Sequence, residues 1–225
     1  MHYFIANWKA RLTLTQIQDW LQVFSTEIKA NHQLLHKLDT NLIQIVICPP
    51  FPFLAIVKEK LPALPHIMLG SQDLSQFDNG NYTGETTGRM LADFIQYAII
   101  GHSERRQYLH EDENNLAQKY QQATNNKIKP VFCIRNEQDL IPDNCQFVAY
   151  EPVAAIGTGV NEDPEKVILM KKKLNLSAAT AFIYGGSVND KNIPTYLNTQ
   201  VINGFLIGKA SLDPQQFITI IQQAN

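Results

Sequence analysis

Short apolar runs alternate with longer amphipathic stretches along this chain. Eight of the runs read as strands covered on both faces, at 3–7, 43–48, 66–71, 97–101, 130–134, 146–151, 180–184 and 203–207. Between the first two, Ile17, Trp20, Leu21, Phe24 and Ile28 recur along one face of a long helix, and Thr15 and Gln18 have the spacing of a capping box at its start. That stripe is core, not a cofactor box. Further helices are expected at about 51–61, 87–96, 112–125, 163–174, 190–198 and 213–223. Strand and helix thus alternate in a βαβ rhythm, with one irregularity. In the fifth crossover only Arg135 to Cys145 separates two strands, Pro142 interrupts it, and a full helix does not fit.

Eight parallel strands joined by helices form either an open doubly wound sheet or a closed barrel, and the pattern alone does not separate them. Motif position does. In a barrel, chemistry gathers where the strands end at their C-terminal edge, because those loops converge on one mouth. Every candidate motif here follows a strand, so the expectation is an α/β fold: one (β/α)8 barrel over residues 1–225, a single domain with a shortened fifth crossover. The 225 residues, 44% of them apolar, can bury such a core.

Charge and cysteine usage narrow the partners. A formal net charge of −2 and the lack of any Lys/Arg block argue against nucleic acid or an anionic membrane. An anionic small molecule would need local positive charge. Cys48, Cys133 and Cys145 form neither a metal-ligand spacing nor an even disulfide framework, which fits a reducing compartment and hence the cytoplasm. Met1 runs directly into strand-like Tyr3-Phe4-Ile5-Ala6, leaving no room for a signal peptide, and no apolar run reaches membrane-spanning length.

Three polar motifs close strands. Asn7-Trp8-Lys9 follows the first, where a lysine offers a compact cation to a phosphate or a developing oxyanion; alone, it reads more readily as a solvated charge. Gly101-His102-Ser103-Glu104-Arg105-Arg106 follows the fourth. Its histidine begins a helical turn whose dipole disfavours imidazolium; the bland alternative has Ser103 capping, Glu104 pairing with Arg105 or Arg106, and His102 merely packing. Ala149-Tyr150-Glu151-Pro152 closes the sixth, and a buried carboxylate there, its pKa raised, can act as a base. Glycine-rich stretches at 157–159, 185–187 and 204–208 let backbone N–H groups approach an anion at the loops where barrels commonly hold phosphate.

Other motifs fail on inspection. Gly208-Lys209 is no P-loop, with Asn203 at its first glycine position and Ala210 where Ser or Thr belongs, and 157–159 lacks the third glycine of the dinucleotide fingerprint, Glu162 standing there. His32 and His36 lie four apart on the first helix, but Gln33 replaces the glutamate a zincin needs.

The strings NWK at 7–9, IIGHSERR at 99–106, AYEPVAAIGTG at 149–159, YGGSV at 184–188 and GFLIGKASL at 204–212 resemble the triosephosphate isomerase family, in its order and across almost the whole chain. The resemblance implies a homodimeric TIM barrel that interconverts dihydroxyacetone phosphate and D-glyceraldehyde 3-phosphate in glycolysis and gluconeogenesis, with no cofactor and no metal. By the same resemblance Glu151 moves a proton between carbons, His102 shuttles protons between oxygens, and Lys9 and Asn7 stabilise negative charge. Glu104 would place Lys9. Gly157, Ser187 and Gly208 would bind phosphate, and residues 152–158 would close as a lid.

Several residues depart from the family pattern. Lys209 replaces the second glycine of GG after strand eight, where it is either strained or an added phosphate ligand. Ala154 replaces a lid Trp, and Asn136 the Glu after strand five, so an altered lid is expected. Loop 73–83 keeps the family's length and would carry the dimer contact, although Asp78 there could pair with a lysine or repel Glu104. Two rival readings stand beside the isomerase: a different small sugar phosphate as substrate, or a noncatalytic phosphate-binding or regulatory barrel.

Overall fold

The computed structural model describes residues 1–152 and 161–224. β1 (His2–Asn7) leads to α1 (Leu14–Ala30), α2 (His32–Asp39) and β2 (Ile43–Cys48). A 3-10 turn and α3 (Leu54–Lys60) precede β3 (Ile67–Ser71), then α4 (Gly88–Leu91), β4 (Tyr97–Ile100), α5 (Ser103–Tyr108), α6 (Glu113–Asn125) and β5 (Lys129–Ile134). The chain continues through β6 (Phe147–Tyr150), α7 (Pro164–Leu174), β7 (Ala181–Tyr184), α8 (Ile193–Leu197), β8 (Gly204–Ile207) and α9 (Pro214–Gln222). All eight strands run parallel, each beside the next. Pairing of Tyr3 with Gly204 joins β1 to β8 and closes the barrel.

Strand periodicity explains the two cores. Ile5, Val46, Ile99, Val131, Ala149, Ile183 and Leu206 fill the barrel interior, while their neighbours Phe4, Ile45, Ile100, Phe132, Val148, Phe182 and Phe205 face the helices. On the outer side the α1 stripe meets an aromatic stack. Trp20 lies 4.7 Å from both Trp8 and Phe24, centroid to centroid, and its indole N–H donates to Ser211 O at 3.0 Å. These contacts seat α1 and α9 against the strand whose end carries Lys9.

Three sequence expectations shift. The capping box of α1 is Thr13 with Gln16, not Thr15 with Gln18: Thr13 is extended and accepts from Gln16 N, whereas Thr15 already lies in the first turn. His32 and His36 sit on α2, a separate helix that Asn31 caps after α1 ends. The helix expected over 87–96 contracts to α4.

The fifth crossover does lack a helix. Residues 135–146 form turns held by one buried carboxylate: Asp139 accepts from Arg135 N at 2.7 Å, from Arg135 Nη2 at 2.7 Å and from Arg106 Nη1 at 3.4 Å. Arg106 also donates to Gly101 O and Cys133 O, at 2.9 and 2.7 Å, so this short loop is tied to the ends of β4 and β5.

Candidate active site

The inward phase of each strand continues past its end. Asn7 and Lys9 follow Tyr3 and Ile5, Glu151 follows Phe147 and Ala149, Gly185 follows Ala181 and Ile183, and Gly208 follows Leu206. Side chains two residues apart share a face, so these positions meet over the barrel axis. With His102, Glu104, Ser187 and Lys209 they line a cavity of about 440 Å³. Gly157 and Ala154, and the expected lid beyond Pro152, fall outside the described residues.

Glu151 is buried, with its two oxygens divided between neighbours. Oε1 lies 3.0 Å from His102 Nε2, and Oε2 accepts from Ser103 N at 3.0 Å. His102 itself, rather than Ser103, caps α5: its Nδ1 accepts from Glu104 N at 3.2 Å. That amide reserves Nδ1 as an acceptor and puts the ring proton on Nε2, the neutral tautomer aimed at Glu151.

Protonation follows from burial set against pairing. Burial alone raises the Glu151 pKa, but the His102 charge and hydrogen bond, the Ser103 amide and Lys9 reverse it, leaving the carboxyl below its ordinary value. Burial lowers His102, and Glu151 more than offsets that, so the imidazole sits above its ordinary value. The sequence leads to a raised carboxyl; with His102, Ser103 and Lys9 around it the direction is instead downward. Pairing with His102 is the largest of the influences that reverse it, and a substrate that separates the two groups leaves burial opposed only by the Ser103 amide and Lys9.

Lys9 adopts φ +52°, a left-handed conformation uncommon outside glycine. Its own neighbours hold it there. Asn7 Oδ1 accepts from Lys9 N at 3.1 Å, and Gln72 Nε2 donates to Lys9 O at 3.0 Å and to Cys48 O at 2.9 Å. The ammonium reaches Glu104 Oε1 at 2.5 Å. Glu104 thus pairs with Lys9, while Arg105 pairs with Glu111 and Asp73, which replaces the local pairing read from the sequence. Lys209 begins a 3-10 turn and is not among the positive-φ residues, so it carries no backbone strain.

Glycine matters here by proximity. A Cβ on Gly185 would stand 2.8 Å from Glu151 Cγ, and one on Gly208 would stand 3.3 Å from Lys9 Cε. In YGGSV, which the sequence marks as an anion cradle, the first glycine also makes room for the carboxylate. Tyr184 adds something the sequence did not signal. Its hydroxyl accepts from Glu162 N at 2.9 Å, and Tyr196 OH donates to Glu162 O, fastening the chain just ahead of α7. Arg11 and Gln72 were missed as well, since neither belongs to a recognisable string.

A carboxylate and an imidazole in contact, beside a lysine and a glycine-lined recess, can move a proton next to a carbonyl while an anion anchors the molecule. On a (β/α)8 scaffold that combination suits the class of isomerases that act on small phosphorylated sugars. Sequence comparison gives the particular family. The triosephosphate isomerase family model matches residues 2–224, and the chain belongs to that family. Triosephosphate isomerase of Mesomycoplasma hyopneumoniae (strain 7448) is 35% identical over 241 residues, covering 96% of this chain and 97% of the relative. That of Chlamydia muridarum (strain MoPn / Nigg) is 35% identical over 255 residues, covering 98% and 91%. That of Vesicomyosocius okutanii is 37% identical over 210 residues, covering 79% and 84%. The chain is an isomerase with that family's activity, the interconversion of triose phosphates. No helix among the described residues is long and apolar enough to cross a membrane.

Proposed function

We propose that Glu151 is the base of this isomerase, His102 its oxygen-side acid and Lys9 its charge stabiliser. The observation that supports the assignment is the 3.0 Å contact between Glu151 Oε1 and His102 Nε2, inside the cavity that Lys9 also lines. Substrate enters with its phosphate toward Ser187, Gly208 and Lys209 and with its carbonyl oxygen facing His102 and Lys9. Glu151 takes a proton from the carbon beside the carbonyl, and the electrons move onto that oxygen. His102 Nε2–H and the Lys9 ammonium stabilise the enediolate, Asn7 supports the Lys9 backbone, and Glu104 holds the ammonium in place. Glu151 then returns its proton to the neighbouring carbon, while His102 gives its Nε2 proton to the first oxygen and takes one back from the hydroxyl on the neighbouring carbon, which becomes the new carbonyl and leaves the imidazole as it began. Separation from His102 leaves burial as the main influence on Glu151, which makes it a stronger base than when paired with the imidazole.

The test is a coupled assay of dihydroxyacetone phosphate formation from glyceraldehyde 3-phosphate. Glu151→Gln should lose at least about 10²–10⁴-fold in kcat, the range for a general base. Retention of more than a tenth of wild-type kcat removes Glu151 from the role.

A homodimer through loop 73–83 belongs to the same proposal. At that loop the rings of Phe77 and Tyr82 stack at 4.1 Å and 5°, with Tyr82 exposed, and Asp73 anchors the base of the loop against Lys119 and Arg105. Asp78 spends its carboxylate on Asn79 N at 2.7 Å, closing its own turn. A rigid loop with an exposed aromatic tip suits insertion into a second subunit. The three cysteines are buried and unbridged, in keeping with a cytoplasmic site of action.

A further inference from the structure

We propose that Arg11 and Lys209 together form an anion-capture pair at the cavity rim, which turns the field of the site from repelling to attracting a phosphorylated substrate. The inference rests on the isomerase assignment above and extends it. Among the ionisable residues lining the cavity are the carboxylates Glu104 and Glu151 and the cations Lys9, Arg11 and Lys209. Lys9 is already neutralised by Glu104 at 2.5 Å. In the neutral tautomer that the Glu104 amide sets for His102, what remains is the charge of Glu151 and the catalytic lining is negative by one; an imidazolium brings it only to zero, with no attraction for an anion. A phosphate monoester carrying roughly −1.5 to −2 at pH 7 would be pushed away from it.

Arg11 and Lys209 reverse that balance to positive by one. They come from different strand ends, one after β1 and the other after β8, which the barrel closure makes neighbours. Neither forms a hydrogen bond or ion pair with a described residue, and both are exposed, so among the described residues their charge is spent on nothing else. Lys209 follows Gly208, whose missing side chain leaves the Lys9 stem open to the recess. The pair therefore stands outside the point where Lys9 acts. Lys9 serves the reacting oxygen, while Arg11 and Lys209 draw the phosphate in. A chain of net charge −2 supplies no general attraction for an anion, so the local pair carries the effect.

The experiment compares wild type with the double variant Arg11→Gln, Lys209→Gln, and with the charge-conserving double variant Arg11→Lys, Lys209→Arg. The measured quantity is the ratio of kcat/KM for glyceraldehyde 3-phosphate to that for unphosphorylated glyceraldehyde, at low and high ionic strength. The glutamine variant should lose about tenfold in this ratio at low salt and less than about threefold at 0.5 M salt, where screening reaches only a few ångströms. The charge-conserving variant should keep the wild-type ratio. Calorimetric titration with inorganic phosphate should show a parallel weakening in the glutamine variant. An unchanged ratio, a loss indifferent to salt, or an equal loss in the charge-conserving variant would overturn the proposal. Wild type inactive on triose phosphate would instead remove the isomerase assignment, and the phosphate titration would still decide whether the pair captures anions.

Discussion

Replacing Gly185 with alanine should cripple catalysis while leaving the fold and substrate affinity nearly intact. The added Cβ would stand 2.8 Å from Glu151 Cγ and 3.3 Å from Tyr150 O. Carbon atoms pack at roughly 3.5–4.0 Å, so one partner must move by about 1 Å. Tyr150 is a backbone carbonyl fixed at the β6–β7 seam, where it accepts from Gly185 N at 2.8 Å, and cannot yield. The Glu151 side chain can, because it faces the cavity. A displacement of that size breaks both 3.0 Å contacts of the carboxylate, to His102 Nε2 and from Ser103 N. Misplacing a reacting group by about 1 Å costs on the order of 10²-fold in rate. Gly185 does not occupy the left-handed region, so alanine adds no backbone strain, and the overpacking should cost no more than about 1–3 kcal/mol. The coupled assay should therefore show kcat reduced about 10²-fold with KM changed less than about threefold, and a melting shift of only a few degrees. A variant that keeps more than a tenth of wild-type kcat would refute the argument that this glycine exists to seat the base.

Three further outcomes follow from the same geometry. Asp139→Ala removes the carboxylate facing a buried Arg106 guanidinium, and urea unfolding should report a loss of about 3–5 kcal/mol, less for Asp139→Asn; a loss under about 1 kcal/mol would show that the fifth crossover does not depend on this contact. The Glu151 carboxyl is held below its ordinary 4.5, so the unfolded chain takes up its proton first and the stability this group contributes is lost as pH falls through the folded value. Accordingly the difference in unfolding free energy between wild type and Glu151→Gln should shift against wild type as pH is lowered below 4.5, and a difference that stays constant would contradict the pairing with His102. Tyr82→Asp places a charge at the exposed end of the stacked pair in loop 73–83, and light scattering at micromolar concentration should move from twice the chain mass toward the single-chain mass; a wild-type monomer would end the dimer proposal.

Much of this was readable from one sequence because strands report themselves in short apolar runs and site residues continue their phase. Phe147 and Ala149 point inward, so Glu151 does too; Tyr3 and Ile5 direct Asn7 and Lys9 in the same way. The helices were less legible where they are short. α4 has four residues and α5 has six, too few for a 3.6-residue period to declare itself, and α5 depends on the side chain of His102 for its cap. Protonation was the least legible of all. Helix geometry suggested a neutral imidazole, and the Glu104 amide agrees, but the pKa direction of Glu151 hangs on a contact with His102 from another strand end, which no local pattern carries.

The fifth crossover joins these limits to function. From sequence it was only a gap too short for a helix, with Asn136 where the family has a carboxylate. In the fold, Asn136 Oδ1 caps its own turn at Gln138 N, 2.8 Å away, and the buried carboxylate comes from Asp139 three positions later. Through Arg106 this one side chain reaches Gly101 O, beside His102, and Cys133 O, on the strand whose Ile134 O accepts from Glu151 N at 2.8 Å. Both catalytic candidates therefore lean on backbone that Asp139 helps to hold. A helix would provide such support through many weak apolar contacts spread along its length; here a few charge-assisted hydrogen bonds concentrate it at one residue, where a single substitution can remove it.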